Sequence, residues 1–473
     1  MSRLCSALSA NADHVVIADH SGTSTGAQLM SRALWSADWL ASQLDVGPGT
    51  VVAVTSSNTT WGLALRYGAN LLGATTCHLP FIGADRQDAL IELINPSVVV
   101  SDGTGPMAGA DAWNVIAAPV PSTPLETPRP DDFAAIHPYR DDDVCGLVAS
   151  GGTTGIPKAS YRSIRRYSAM VDIPTNRERR QLVVTPFAYI AASLIDETLS
   201  GEGSVILGEH TWDVDRVAET VSTEKATHMF VVEPALADLI SAAGADVAVR
   251  RRLDSLQEIF HLGAGAPPGL RERAHAVFGS VVTHGYAASE LGPVSSTKGC
   301  DFDAHSAGRI IAGVRCRIVN REGDEVPAGE AGTITLSSPW IANGYWNRQP
   351  GKEFSEWMHT TDEGTLSADG ELAIAGRTGD YLGDTRVHAS EVEAAVSRVA
   401  GVDYVIVLPE PDVSSRTAFV VVQSPNAKVR SAVEDVTESF SDRLDLKVVV
   451  LDRIPRTEQG KPDRISLATL LRG

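Results

Sequence analysis

The sequence predicts an α/β fold: a large layered α/β N-terminal domain with a small antiparallel β region, followed by a small α+β C-terminal domain. Three observations lead there. Short valine-rich runs alternate with amphipathic stretches over the first 300 residues or so; after residue 305 the texture changes to short strands with Gly/Asp turns; from Arg377 onward helix and strand alternate again. At roughly 150 residues per domain, the 473 residues suggest about three domains or subdomains, ample to bury a large core.

Taken in order, TVVAVTS (50–56) and PSVVVSD (96–102) read as buried strands, because unbroken apolar runs suit the centre of a parallel sheet. A helical stretch around Trp61 to Leu72 stands between them and gives a β-α-β spacing. QLVVTPF (181–187), GSVILG (203–208) and THMFVVE (227–233) repeat the strand pattern. DVDRVAETVSTEK (213–225) places Val214, Val217, Ala218 and Val221 at helical spacing, as a crossover helix would. Residues 118–132, APVPSTPLETPRPDD, carry five prolines and predict a crossing over the surface. VRCRIVN, REGDEVPAGEAG, TITLSS, GTLSADG and ELAIAG read as short strands with turns. The final module contains a helix at 391–401, strands at 403–410 and 417–423, a helix near 430–443 and a strand at 447–455.

Composition narrows the function classes. A net charge of −19 disfavours nucleic acid and anionic membranes, which call for a basic footprint. Cys5, Cys77, Cys145, Cys300 and Cys316 are scattered and form no C-x-x-C pair, so neither a disulfide scaffold nor a cysteine-rich zinc site is expected. The N-terminus lacks a basic region followed by a clean apolar stretch. The longest charge-free run, Tyr67 to Ala84, is broken by Gly, Pro and His. A soluble, cytoplasmic protein is expected.

Four segments carry chemistry. In VASGGTTGIPKAS (148–160), a strand runs into Ser150, Gly151, Gly152, Thr153, Thr154 and Gly155, with Lys158 just beyond. Glycines let successive N–H groups point at one anion, and the threonines and lysine add donors and charge, which suits a polyphosphate. HGYAASELG (284–292) sets Ser289 beside Glu290, a candidate Mg2+ and phosphate station that a helix N-cap explains equally well. TTDEGTLSADGELAIAGRTGD (360–380) offers Asp362 and Arg377 for sugar hydroxyls, though singly these read as turn and surface residues. RIPRTEQGKPDR (453–464) by itself reads as a solvated basic loop.

Together and in this order, the four segments resemble the AMP-forming acyl- and aryl-activating enzymes: acyl-CoA synthetases, aryl-acid AMP ligases and nonribosomal adenylation domains. The resemblance covers nearly the whole chain, and the doubled glycine of the phosphate loop is most similar to the aryl-acid branch. It implies a large adenylate-binding domain (1–376) and a small, mobile domain (377–473) carrying the catalytic lysine loop. SLQEIFHLGAGAPP (255–268) is similar to the segment beside the adenine and supplies Gly263, Ala264 and Gly265. GYAASE (285–290) puts Tyr286 in the adenine-stacking place and Glu290 in the Mg2+ place. Residues 306–347 resemble the stretch before the ribose-binding aspartate, for which Asp362 fits, with Arg377 as second ribose ligand and Lys461 as catalytic lysine. The cofactors so implied are ATP/AMP, Mg2+ and CoA, or a carrier protein's phosphopantetheine. The implied partners are a small carboxylic acid, with a carrier protein and a homodimer admitted.

Departures from the family pattern bear on the substrate and the thiol. Gly379 stands where Asp or Lys is usual at the junction, and 381–393 is about one residue short and lacks a basic-Gly pair. Ala287 replaces a glycine, and Ala159 follows the loop lysine where Gly is frequent. In TPFAYIAAS (185–193), Tyr189, Ile190 and Ala191 replace the His-Asn-aromatic of aryl-acid ligases, and no Phe-Asp pair awaits an α-amino group. With Gly263 and Ala288 these residues predict an apolar, non-amino acid. The small side chains at Ala188, Ala191, Ala192, Gly263 to Ala266 and Ala288 leave room for a bulky or polycyclic one. The expected function is an AMP-forming acyl-CoA ligase of specialised metabolism. Its alternatives are an acid–AMP ligase loading a carrier protein, a specialist that only thioesterifies preformed adenylate, and a catalytically silent nucleotide binder.

Overall fold

A computed structural model describes residues 2–105, 113–121, 125–126, 137–150, 157–172, 174, 177–209, 211–263, 265–410 and 415–472. Most of the proline-rich crossing at 118–132 therefore lies outside the described residues. The chain divides into two compact units, one of Met1–Met229, Ser289–Gly292 and Pro339–Phe354, the other of Phe230–Ala288, Pro293–Ser338 and Ser355–Gly473.

In the first unit the valine runs become strands Val51–Thr55 and Val98–Ser101, and every residue of Val51–Thr55 is buried. They pair in parallel, Val52 opposite Val98, with Thr75–His78 on the other side, Ala53 opposite Cys77. Val144–Ser150 continues the parallel run. The sheet then turns antiparallel through Lys158–Ser163, Gly344–Trp346 and Pro350–Glu353. Thr59 caps helix Thr60–Leu71 by accepting from the Gly62 N–H. That helix is buried almost all round, and its Leu63 and Tyr67 pack with Leu29, Ile195, Leu199 and Val205. A second set of strands in this unit, Arg180–Val183, Ser204–Leu207 and Val15–Asp19, is also parallel. The crossover helix forms at Val214–Glu224, capped by Asp213 on the Arg216 N–H, with Val217, Ala218 and Val221 buried.

The second unit begins with Glu258–His261 parallel to Val282–Ala288. Antiparallel strands Ser306–Ile310, Glu371–Arg377, Met358–Leu366, Gly332–Ser337 and Arg315–Val319 follow side by side. Of the segments expected as short strands with turns, REGDEVPAGEAG supplies a pair of turns with one bridge at Glu325. Gly323 (φ +92°) and Gly329 (φ +87°) take left-handed backbone there, which breaks an extended run. The C-terminal residues build a three-stranded sheet of Tyr404–Pro409, Thr417–Gln423 and Asp445–Leu451. Helices Ala389–Val396 and Val429–Thr437 share a core with it that includes Val392, Val407, Val420 and Val433. The second of these helices ends earlier than 443, passing into a tighter turn at Glu438–Phe440.

Still within this unit, the C-terminal module is tied to the helix Pro268–Phe278. The Gly269 N–H donates to Ser397 Oγ at 3.0 Å, and Arg273 Nη2 donates to the Asp403 carbonyl at 2.9 Å. A side chain at Gly269 would collide with the Ser397 backbone, so glycine sets this close approach. All five cysteines are free, and Cys5, Cys77 and Cys145 are buried. Among the described residues no helix is long and apolar enough to cross a membrane.

Candidate active site

The second unit brings Tyr286 to two residues of a later antiparallel strand pair, Asp362 and Arg377. Asp362 and Arg377 face each other in register across an antiparallel pair. Arg377 Nε lies 3.3 Å from Asp362 Oδ1, and the Tyr286 hydroxyl donates to Asp362 Oδ2. Burial and the adjacent carboxylate push the Tyr286 phenol well above its ordinary range, so it stays protonated as a donor. Asp362 is nearly covered while Arg377 stays open to solvent, with side chains 14% and 56% exposed, so a ligand reaching the pair from outside meets the guanidinium first. Asp362 and Arg377 are strand residues, not the turn residues that their surroundings in the sequence suggested singly.

The lysine loop is anchored, not a solvated tail. Arg456 Nη2 donates to Asp238 Oδ2 at 2.7 Å and to the Pro234 carbonyl at 3.1 Å. The Thr457 N–H donates to the Lys461 carbonyl at 2.8 Å, and Gly460 (φ +80°) supplies the turn. The loop lays Lys461 against Gly263. A Cβ added at Gly263 (φ +132°) would stand 3.3 Å from Lys461 Cε and 3.9 Å from Nζ, so the lysine packs closely against the bare backbone. Burial and the charge of Arg377 depress the Lys461 ammonium, opposed by the carboxylate of Glu233. Glu233 is fully buried with its Oε1 3.3 Å from His261 Nε2, and the His261 ring in turn meets His284, Nδ1 to Nδ1 at 3.1 Å. Burial raises the Glu233 carboxyl, but the contact with His261 outweighs it with help from Lys461, and the group stays ionised.

The first unit holds a second constellation. Ser289 and Glu290 occupy a turn between two strands, not a helix N-cap. Arg162 Nη2 fixes their backbone, donating to the Ser289 carbonyl at 2.7 Å and the Glu290 carbonyl at 3.2 Å, while its Nε donates to the Trp340 carbonyl at 3.0 Å. Burial pushes the Arg162 guanidinium down to about 10. The Glu290 carboxylate accepts from the Tyr345 hydroxyl at 2.8 Å, and Lys158 Nζ sits 5.3 Å from the centre of the same tyrosine ring. Tyr345 thus links the lysine beyond the glycine-rich loop to the carboxylate that the resemblance puts in the Mg2+ place. Among the described residues no group of three or more His, Cys, Asp or Glu could hold a metal. One carboxylate with adjoining phosphates suits Mg2+, which keeps several waters and takes few protein ligands.

Gly151, Gly152, Thr153, Thr154, Gly155 and Ala264 lie outside the described residues, as does the side chain of Ser150. In the stretch expected to bind the acid, the backbone kinks at Tyr189 (φ −121°, ψ −145°) before helix Ala192–Ser200. Ala191 is buried in the core beside Leu63 and Ile195, so its small size serves packing. Ala188, Tyr189 and Ala192 line a cavity of about 240 Å³ together with Phe187, His78, Arg66 and Asp196; Ile190 does not line it. Gly263 and Ala288 belong to the second unit. Sequence reasoning passed over Tyr345, Arg162, Glu233 and His78. For Tyr345 the sequence signal is the pair Gly344-Tyr345 within residues 306–347; Glu233 ends an apolar run that predicts a strand, whereas it opens the helix Glu233–Ala245.

Comparison with known proteins fits this geometry. A family model described as "AMP-binding enzyme" matches residues 6–346. A medium/long-chain-fatty-acid–CoA ligase of Mycobacterium tuberculosis is 29% identical over 366 residues, 71% of this chain and 62% of that one. The chain thus spans about three fifths of that relative's length. A feruloyl-CoA synthase of an Amycolatopsis species is 27% identical over 482 residues, 95% of this chain and 94% of that one. Among solved structures, the amide bond synthetase McbA of Marinactinospora thermotolerans superposes with a TM-score of 0.80 over 99% of both chains, at 23% identity, a likeness of fold.

Proposed function

We propose, from the premise that this chain belongs to the family of AMP-binding enzymes, that it is an AMP-forming ligase joining a carboxylic acid with an apolar body to the thiol of CoA. The observation that carries the reading is the seating of Lys461 against Gly263 in the same unit as the Tyr286–Asp362–Arg377 cluster. A carboxylate is a poor electrophile. Its oxygen therefore attacks the α-phosphorus of ATP, the bond to the β-phosphate oxygen breaks, pyrophosphate leaves and an acyl-adenylate remains. The thiol then attacks the acyl carbon, and AMP departs with the electrons of the broken C–O bond.

In this reading Tyr286 stacks on the adenine, while Asp362 and Arg377 hold the ribose hydroxyls. Lys461 lies between the acid carboxylate and the α-phosphate, a point charge that draws two anions together. Lys158 and the glycine-rich loop receive the departing pyrophosphate. Glu290 would hold Mg2+, which when bound offsets phosphate charge. Residues 377–473 form the small domain that turns about its junction between the two steps. A Cβ added at Gly379 would meet nothing within 4 Å, so a side chain at the junction would find open space. A cytoplasmic setting goes with these substrates. CoA is the acceptor favoured, because a relative matched along 95% of this chain is a feruloyl-CoA synthase by name.

Separate half-reactions test the proposal. Lys461→Ala should lose acid-dependent ATP–pyrophosphate exchange by on the order of 10²-fold, the worth of one preorganised electrostatic contact. It should still pass a presynthesised acyl-adenylate to CoA at close to the wild-type rate. Equal loss in both assays would refute the role of Lys461, and a wild type inert in both with every acid would refute the ligase reading.

A further inference from the structure

The cavity of the first unit contains a polar feature that the expected apolar acid does not explain. Strand Thr75–His78 carries His78 into its wall, 6% exposed, with the ring edge-on to Phe187 at 5.3 Å. The buried Nε2 of His78 has no hydrogen-bond partner, nor does the buried Nε of Arg66, which lines the same cavity. Burial, reinforced by the nearby Arg66 charge, drives His78 well below the usual imidazole range, so it is neutral and has one nitrogen that donates and one that accepts.

Among the described residues that line the cavity, the charged groups are already matched. Arg66 grips Asp196 with both terminal nitrogens, and the Tyr67 and Tyr167 hydroxyls complete that carboxylate at 2.7 and 2.6 Å. Arg162 is spent on backbone carbonyls, and Arg3 pairs with Asp172. An ionised ligand group would find no unpaired opposite charge and would have to shed its water without return. The rest of the wall near the acid-binding stretch is apolar or small, including Phe187, Ala188 and Ala192. Gly146 withholds a side chain altogether: a Cβ there would meet only the Thr76 carbonyl oxygen, at 3.8 Å.

Building on the ligase reading, we propose that His78 is a specificity residue and that the acid carries a neutral hydroxyl at the end remote from its carboxylate. A hydroxyl both donates and accepts, so it can satisfy the neutral His78 Nε2 in either tautomer and accept from Arg66 Nε. Such a site rejects the analogue lacking the hydroxyl because the buried nitrogens are then left unpaired.

The test uses matched acids in ATP–pyrophosphate exchange with the full chain: ω-hydroxydecanoic against decanoic acid, and p-hydroxycinnamic against cinnamic acid. In at least one pair the wild type should favour the hydroxylated member by about tenfold or more in kcat/KM. His78→Phe, which keeps a ring against Phe187, should bring that ratio close to one, and His78→Gln should restore part of it. Exchange with no preference in either pair, or an undiminished preference in His78→Phe, would overturn this inference and leave the ligase reading standing. No exchange with any acid would overturn both. If His78→Phe fails to fold, the wild-type ratios decide alone.

Discussion

Replacing Tyr345 with Phe removes one oxygen from the first unit and tests whether Glu290 must be held. The hydroxyl donates to Glu290 at 2.8 Å, and the ring lies under Lys158 and edge-on to Phe354 at 5.1 Å. Burial and the Glu290 charge raise the Tyr345 phenol, so the proton stays on the tyrosine across the working range of pH. A hydrogen bond to a charged group contributes about 1.5–3 kcal/mol. Tyr345 is only partly buried, and water can take its place, so the lower end of that range applies. That corresponds to roughly tenfold in rate. Tyr345→Phe should therefore slow ATP–pyrophosphate exchange by about tenfold and raise the Mg2+ concentration needed for half-maximal rate. Tyr345→Leu also removes the face beneath Lys158, about 0.5–1 kcal/mol more, and should lose a further two- to fivefold, roughly. The assay is exchange at saturating acid and ATP over a Mg2+ titration. A wild-type Mg2+ response in Tyr345→Phe would refute the link to Glu290. Equal rates in the Phe and Leu variants would refute the link to Lys158.

Three further outcomes follow from buried charges. Lys461 is held below its ordinary value of 10.5, so in the folded protein it loses its proton at lower pH than an exposed lysine, and adenylation should fall on the alkaline side before pH reaches that value. The unfolded chain binds the extra proton in that window, so the stability cost of burying the ammonium is present at neutral pH and relieved as pH rises through the folded pKa. Glu233→Gln removes the carboxylate that supports the charge and should move the alkaline fall of exchange to lower pH; a pH–rate profile identical to wild type would discount that support. Arg66→Met leaves Asp196 charged and buried, and should destabilise the first unit by about 3–5 kcal/mol. Adding Asp196→Leu should recover much of the loss in the urea midpoint, and a double variant no better than the single would contradict the pairing.

The sequence by itself determined the α/β class, because buried parallel strands demand unbroken apolar runs and crossover helices demand a 3.6-residue stripe. Val51–Thr55, Val98–Ser101 and Val214–Glu224 appear where those patterns stand. The resemblance of the chain's motifs to those of AMP-forming enzymes also named Tyr286, Asp362, Arg377 and Lys461 as candidates. Only the tertiary structure decided what these residues touch. The Asp362–Arg377 pair depends on strand register, and the meeting of Lys461 with Gly263 joins residues almost two hundred positions apart. Tyr345 reaches Glu290 because Gly344–Trp346 pairs with Lys158–Ser163 across an edge that no local pattern announces. His78 escaped notice for a related reason. In a buried strand a single histidine reads as a satisfied core residue, and only three-dimensional packing reveals that it lines a cavity with its Nε2 left without a partner. Local propensity is written in neighbouring residues, whereas burial, pairing and the cost of an unmet hydrogen bond are set by contacts among distant ones.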